Sequence, residues 1–148
     1  MKIYLCGSCG STERTRMVKV AELLRSLGYD VYCPFELQIP NAWDISQEDW
    51  AKKVFKADVQ AILDSDIFLF ISVGHVSTAG SNWELGYAYA REIPTYVFQI
   101  TDAQTSLMTY WGCDNFVNTS EENLEEDLRA VFEKGCRPYH TKCKTILT

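Results

Sequence analysis

The chain has 148 residues, a formal net charge of −6, and 47% hydrophobic against 23% charged residues, which suits one globular domain with a sizeable core. Lys and Arg are scattered rather than gathered into a basic stripe, which argues against a nucleic acid polymer as partner. The longest apolar run, IFLFISV at 67–73, is far too short to span a bilayer, so no membrane partner is expected.

The first residues, MKIYLCG, pass directly into polar ones without a signal-peptide pattern. The six cysteines therefore read as reduced thiols of a cytoplasmic protein rather than as a disulfide framework. Residues 2–6 (KIYLC) form an apolar run ended by Gly7, the first strand. Met17, Val20, Ala21, Leu24 and Leu27 recur at helical spacing, with Gly28 as the stop. Residues 30–33 (DVYC) form the second strand, closed by Pro34, and a polar loop with Pro40 and Trp43 follows. A helical period resumes over 48–64 through Phe55, Val59 and Ile62. Residues 67–73 are nearly all apolar, as in a strand covered on both faces. Residues 74–81 (GHVSTAGS) have loop composition, 82–92 a helical pattern and 94–100 a strand pattern. A short strand candidate at 115–117 precedes an amphipathic helix over 121–134.

Alternating strands and helices predict a three-layer α/β/α fold around a doubly wound, parallel five-stranded sheet, flavodoxin-like or Rossmann-like. Residues 1–134 make a single domain, and 135–148 a tail without a clear period. In such sheets ligands bind beyond the C-terminal strand ends where the strand order reverses. That rule singles out two loops, 6–15 and 74–84.

The first loop, CGSCGSTERTR at 6–16, leads from a strand into a helix. Gly7 and Gly10 permit close backbone approach, and Ser8, Ser11, Arg14 and Arg16 add donors suited to a phosphate at a helix N-terminus. It lacks the Gly-Lys-Ser/Thr ending of a Walker loop, and a tight turn with solvated arginines is the plainer reading. Cys6 and Cys9 have redox-pair spacing but no neighbouring Trp or Pro. A metal would want more ligands, and the only histidines, His75 and His140, are far away in sequence.

Asp58 falls on the apolar stripe of Phe55 and Ile62, where a carboxylate is seldom placed unless paired or functional. The alternative is a wet stripe edge. Glu84 lies in STAGSNWELG at 77–86, where a first-turn carboxylate would be held ionised by the helix dipole. The alternative is a capping box, with Glu84 reaching back to the Ser81 amide. The cap reading leaves Gly86, inside a helix, unexplained.

Together these residues resemble the nucleoside 2-deoxyribosyltransferase family over roughly residues 1–120. The run NWELGYAYA at 82–90, followed by Glu92, Ile93 and Pro94, is similar to the family's nucleophile helix and the strand after it. ADVQAILDSD at 57–66 resembles its acid-bearing helix, at a similar separation from the nucleophile. MKIY at 1–4 resembles its first strand, and TSLM at 105–108 with WGCDN at 111–115 a later stretch.

The resemblance implies that Glu84 is the nucleophile, Asp58 the acid and base, and Tyr4 the residue orienting Glu84. It implies substrate contacts from Gly7, Ser8, Gly10, Ser11, Arg14, Thr78, Gly80, Ser81, Ser106 and Met108. Trp83, Tyr87 or Trp43 could stack on the base, or simply belong to the core. The ligands implied are a deoxynucleoside or deoxynucleotide and a free nucleobase, with no metal or organic cofactor. A homo-oligomer is also implied, with 106–111 at its interface. Thr78 stands where these transferases often carry Asp, and Ser106 where they carry Asn. The first loop is closer to the related 2'-deoxynucleoside 5'-monophosphate N-hydrolases. Three readings follow: deoxyribosyl transfer, nucleotide hydrolysis, or a non-catalytic nucleotide sensor. A thiol redox module on Cys6 and Cys9 is the fourth.

Overall fold

The computed structural model describes residues 1–8 and 10–136, and the backbone of 146–147. Cys9 and most of the tail lie outside the described residues, and with them the Cys6–Cys9 pair and His140.

Five parallel strands form the sheet: β1 (Lys2–Gly7), β2 (Asp30–Tyr32), β3 (Ile67–Ser72), β4 (Thr95–Gln99) and β6 (Asn115–Asn118), in the order β2-β1-β3-β4-β6. This is the flavodoxin-like doubly wound order, which reverses direction between β1 and β3. The two-residue β5 (Thr105–Ser106) pairs in parallel with β7 (Ile146–Leu147).

Among the described residues five α-helices cover the sheet: α1 (Ser11–Ser26), α2 (Gln47–Leu63), α3 (Ala79–Ala90), α4 (Leu107–Trp111) and α5 (Leu124–Phe132). Side-chain alternation along the strands divides the interior into two cores. One holds Ile3 and Leu5 of β1, Ile67, Leu69 and Ile71 of β3, and the buried faces of α1 and α5. The other holds Tyr4, Cys6, Phe68, Phe70, Ile62 of α2, Leu85 of α3 and Tyr110 of α4. All six residues of β3 are buried, as its continuous apolar run requires.

Local signals fix the helix ends. Gly28 adopts φ +96 after α1, a left-handed position that favours glycine. The Ser46 hydroxyl accepts from the Asp49 amide at 3.1 Å and starts α2. The α3 boundary differs from the sequence reading. The Thr78 hydroxyl accepts from the Ser81 amide at 3.2 Å, so α3 begins at Ala79, inside the segment read as loop. The composition of 74–81 suggested a turn because Thr, Ala, Gly and Ser are all small, but the Thr78 cap is enough to start the helix there.

Candidate active site

Tyr4, in the middle of β1, sits in register with Tyr32 of β2 and Phe68 of β3. The three rings stack across the strands, Tyr4 to Tyr32 at 5.4 Å and 20° and Tyr4 to Phe68 at 5.4 Å and 7°. Aromatic pairs in this arrangement hold their rings rigidly. They present the Tyr32 hydroxyl to Asp58 of α2 and the Tyr4 hydroxyl toward Glu84 of α3.

Asp58 of α2 and Glu84 of α3 share one cleft of about 300 Å³, lined also by Phe55, Val59, Ile62, Gly80 and Trp83. The structure thus brings together two carboxylates that the sequence separates by a strand and a loop. The stripe that suggested Asp58 is only partly buried: Ile62 is 0% exposed, whereas Phe55 is 55% exposed at the cleft mouth. Trp83 stacks on Tyr87 at 5.3 Å and 6° and leans on Phe55 at 5.6 Å, so an aromatic wall borders the cleft. Trp43 stands apart, 86% exposed in a short 3₁₀ turn at Ala42–Asp44.

The electrostatics of Glu84 differ from the sequence expectation. Glu84 is the sixth residue of α3 and not in its first turn, so neither the dipole argument nor the Ser81 capping box applies. Burial pushes its carboxyl above the usual range, and the neighbouring Asp58 charge pushes it further. The nearby Cys6 thiol and Tyr4 hydroxyl of β1 pull it back down. Burial also raises the Asp58 carboxyl, while the Tyr32 hydroxyl, donating to Asp58 Oδ1 at 2.8 Å, lowers it. Two carboxyls facing one desolvated space favour holding a single proton between them.

The Tyr4 hydroxyl is fully buried and makes no hydrogen bond of standard geometry among the described residues, although it lies close enough to Glu84 to act on its charge. An unsatisfied buried hydroxyl costs about 1–3 kcal/mol. A small movement of the Glu84 side chain toward β1 would relieve that penalty. Burial and the two carboxylates hold the Tyr4 phenol far above its ordinary pKa, so it is a donor at any working pH.

Sequence reasoning missed Tyr32 and Cys6 at this site. Cys6 was legible: alternation places it on the same face as Tyr4, two residues along β1. Its 1% exposure and its 3.7 Å contact with the Ser81 carbonyl tie it to the start of α3. Tyr32 had no comparable signal, because its contact with Asp58 depends on how α2 packs across β2.

The other sequence candidates divide by position. Gly80 lines the cleft, and Thr78 and Ser81 join hydroxyls at 2.9 Å in the α3 cap, with Ser81 5% exposed. In the first loop, Gly7 lies against the end of Met17, where an added Cβ would come within 2.6 Å of the methionine tip. The Ser8 hydroxyl accepts from the Gly10 amide at 3.5 Å, Gly10 precedes α1, and Ser11 opens it. The Arg14 guanidinium lies over the Phe35 ring at 5.8 Å, and the residue is exposed. Arg16 is engaged elsewhere, ion-paired with Glu121 across the α1–α5 seam. Ser106 caps α4 by accepting from the Met108 amide at 3.2 Å. Ser106 and Met108 line a separate groove with Leu85, Gly86, Tyr89 and Trp111. An added Cβ at Gly86 would meet open space there, so nothing within the described residues explains that glycine.

The sequence profile of nucleoside 2-deoxyribosyltransferase matches residues 3–134. No curated protein sequence matches. Among solved structures, the 2-deoxyribosyltransferase of the psychrotolerant bacterium Bacillus psychrosaccharolyticus is 28% identical, with a TM-score of 0.75 over 94% of this chain and 99% of that one. A conserved protein from Enterococcus faecalis V583 is 24% identical, with a TM-score of 0.73 over 88% of this chain and 98% of that one. The CMP N-glycosidase BcmB of Clostridium botulinum, 16% identical, shares the fold with a TM-score of 0.60 over 86% of this chain and 98% of that one. With its flavodoxin-like sheet and a family match over nearly its whole length, the chain belongs to the nucleoside 2-deoxyribosyltransferase family of enzymes.

Proposed function

We propose that this enzyme cleaves the N-glycosidic bond of a 2'-deoxynucleoside and transfers the sugar to a second base, with Glu84 as covalent nucleophile. The observation that carries this reading is the pair of carboxylates in one cleft, with Tyr32 donating to Asp58 and the Tyr4 hydroxyl of the same aromatic ladder near Glu84. In the first half-reaction a Glu84 carboxylate oxygen bonds to C1' while the bond from C1' to the base nitrogen breaks. The Asp58 proton goes to the departing base. In the second half, an incoming base attacks C1', Asp58 takes its proton, and Glu84 is released. Tyr4 and Cys6 hold the Glu84 anion ready from β1, and the Phe55–Trp83 wall offers the base an apolar face.

Two observations favour an unphosphorylated substrate over a 5'-monophosphate. No Lys or Arg lines the cleft among the described residues, and Arg16 is bound to Glu121. Glu13 adds a carboxylate in the first turn of α1, where a phosphate would otherwise be attracted. Of the loop candidates, Gly7, Ser8, Gly10, Ser11 and Arg14 remain contacts for the sugar end of the substrate. We further propose a homo-oligomer meeting at the α3–α4 groove, where Met108 is 74% and Trp111 68% exposed. One domain over 1–134 and a cytoplasmic setting complete the reading.

The test is chromatography of products after incubation with each deoxynucleoside and each deoxynucleotide, with and without a second free base, alongside Glu84→Ala. A new deoxynucleoside that forms only when the second base is present supports transfer. Free base released from deoxynucleotides without an acceptor supports hydrolysis instead. Tight nucleotide binding with no turnover supports the sensor and removes Glu84 as nucleophile.

A further inference from the structure

Asp58 must do more than carry a proton; it must present that proton on the oxygen that faces the base. A carboxyl has two oxygens, and a side chain in an open cleft rotates between them unless something holds one. Here one is held. The Tyr32 hydroxyl donates to Asp58 Oδ1 at 2.8 Å, a distance typical of a strong O–H···O hydrogen bond. Tyr32 is itself fixed, since its ring stacks on Tyr4 and its strand pairs in register with β1. The same ladder therefore serves both carboxylates, Tyr4 at Glu84 and Tyr32 at Asp58.

We propose that Tyr32 is a positioning residue of the glycosyl-transfer reaction: it pins Oδ1 of Asp58 and leaves Oδ2 to carry the proton to the departing base and from the incoming one. The proposal rests on the reading of Asp58 as the acid and base. No new bond or co-reactant is involved; Tyr32 keeps its own proton throughout and never touches the substrate. Burial of the phenol and the adjacent Asp58 charge hold it protonated well above neutral pH, so it remains a donor in both half-reactions. The groups facing Asp58 are Tyr32 from β2, Glu84 from α3 and Tyr4 from β1. Only Tyr32 contacts it by a hydrogen bond among the described residues.

The variant is Tyr32→Phe, which keeps the ring and its stack and removes one oxygen. Two readouts separate the contact from its role. The first follows the Asp58 carboxyl by ¹³C NMR titration in wild type and variant, without turnover. Donation from Tyr32 favours the ionised carboxyl, so its loss should raise the Asp58 pKa. An unchanged titration would overturn the proposal at its geometry. The second measures kcat/KM against pH with whichever deoxynucleoside the wild type turns over fastest. Loss of a hydrogen bond to a charged group should lower kcat/KM about ten- to thirtyfold. The alkaline limb should move upward, because the acid keeps its proton to higher pH. In an Asp58→Asn background the same change should cost less than about threefold, since there is no acid left to position. Equal losses in both backgrounds with an unmoved limb would overturn the proposal and leave Tyr32 a packing residue. If the titration moves as expected but the wild type turns over no deoxynucleoside, the catalytic reading fails and the positioning role falls with it.

Discussion

On the face of β1 packed against α1 and α5, Ile3 and Leu5 are fully buried among aliphatic and aromatic neighbours, and the strand supplies only volume. On the opposite face the same strand supplies Tyr4 and Cys6, equally buried but each with a polar atom directed at α3. The two faces differ by one residue of register, yet one is built for stability and the other for chemistry. The second face accepts costs the first avoids: an unsatisfied hydroxyl on Tyr4 and two raised carboxyls in one cleft. Functional sites commonly give up stability in this way.

The strongest test of that contrast is Glu84→Gln. Loss of the nucleophile should lower turnover on the order of a thousandfold or more, while stability should rise rather than fall. The folded-state pKa of Glu84 lies above its unfolded value, so the folded chain holds that proton more tightly. Ionising Glu84 therefore destabilises the fold progressively as pH climbs from the ordinary carboxylate range through the raised value. Gln has no such term. The melting temperature of the variant relative to wild type should be nearly equal near pH 4, increase toward neutral pH, and then level off. A constant difference across that window would contradict burial as the cause of the raised carboxyl.

A paired comparison on β1 comes next. Leu5→Ala should cost about 2–5 kcal/mol in denaturant unfolding through the cavity it leaves, and the folded fraction should keep its kcat. Tyr4→Phe should fall about tenfold in kcat/KM, yet lose no more than about 1 kcal/mol of stability, because the hydroxyl it removes has no standard partner. If Tyr4→Phe unfolds as readily as Leu5→Ala and retains its kcat, the division between the two faces does not hold.

What the sequence made legible follows the range of the interaction. The β3 run 67–72 was legible because a strand buried on both faces is apolar at every position. Asp58 and Glu84 stood out as carboxylates in apolar or small-residue settings, and the fold brings both into one cleft. The start of α3 was not legible, because the Thr78 cap competes with a composition that equally suits a turn. The five-residue α4 is too short to show a period. Tyr32 escaped for a deeper reason. A hydrogen bond between residues 26 apart, across a long loop and the first turns of a helix, leaves no periodic trace in the chain. The pairing of Arg16 was illegible for the same reason, since its partner Glu121 is 105 positions away.

That ion pair supports the last and smallest prediction, at the margin of the stabilising face. Arg16 and Glu121 are 19% and 56% exposed at the side chain, so solvent screens much of their attraction. Glu121→Gln should cost about 0–1 kcal/mol, and less in high salt. Arg16 holds the Glu121 carboxyl below its usual range, so the contribution is present above the ordinary carboxylate pKa and is lost as pH falls through the lowered one. The variant also frees Arg16 near the first loop. If the enzyme acts on unphosphorylated deoxynucleosides, the ratio of kcat/KM for deoxynucleotide over deoxynucleoside should stay unchanged. A severalfold rise in that ratio would mean that Arg16 can serve a phosphate once released. The α1–α5 face would then belong partly to chemistry, and the boundary between the two faces would have to be redrawn at the loop after β1.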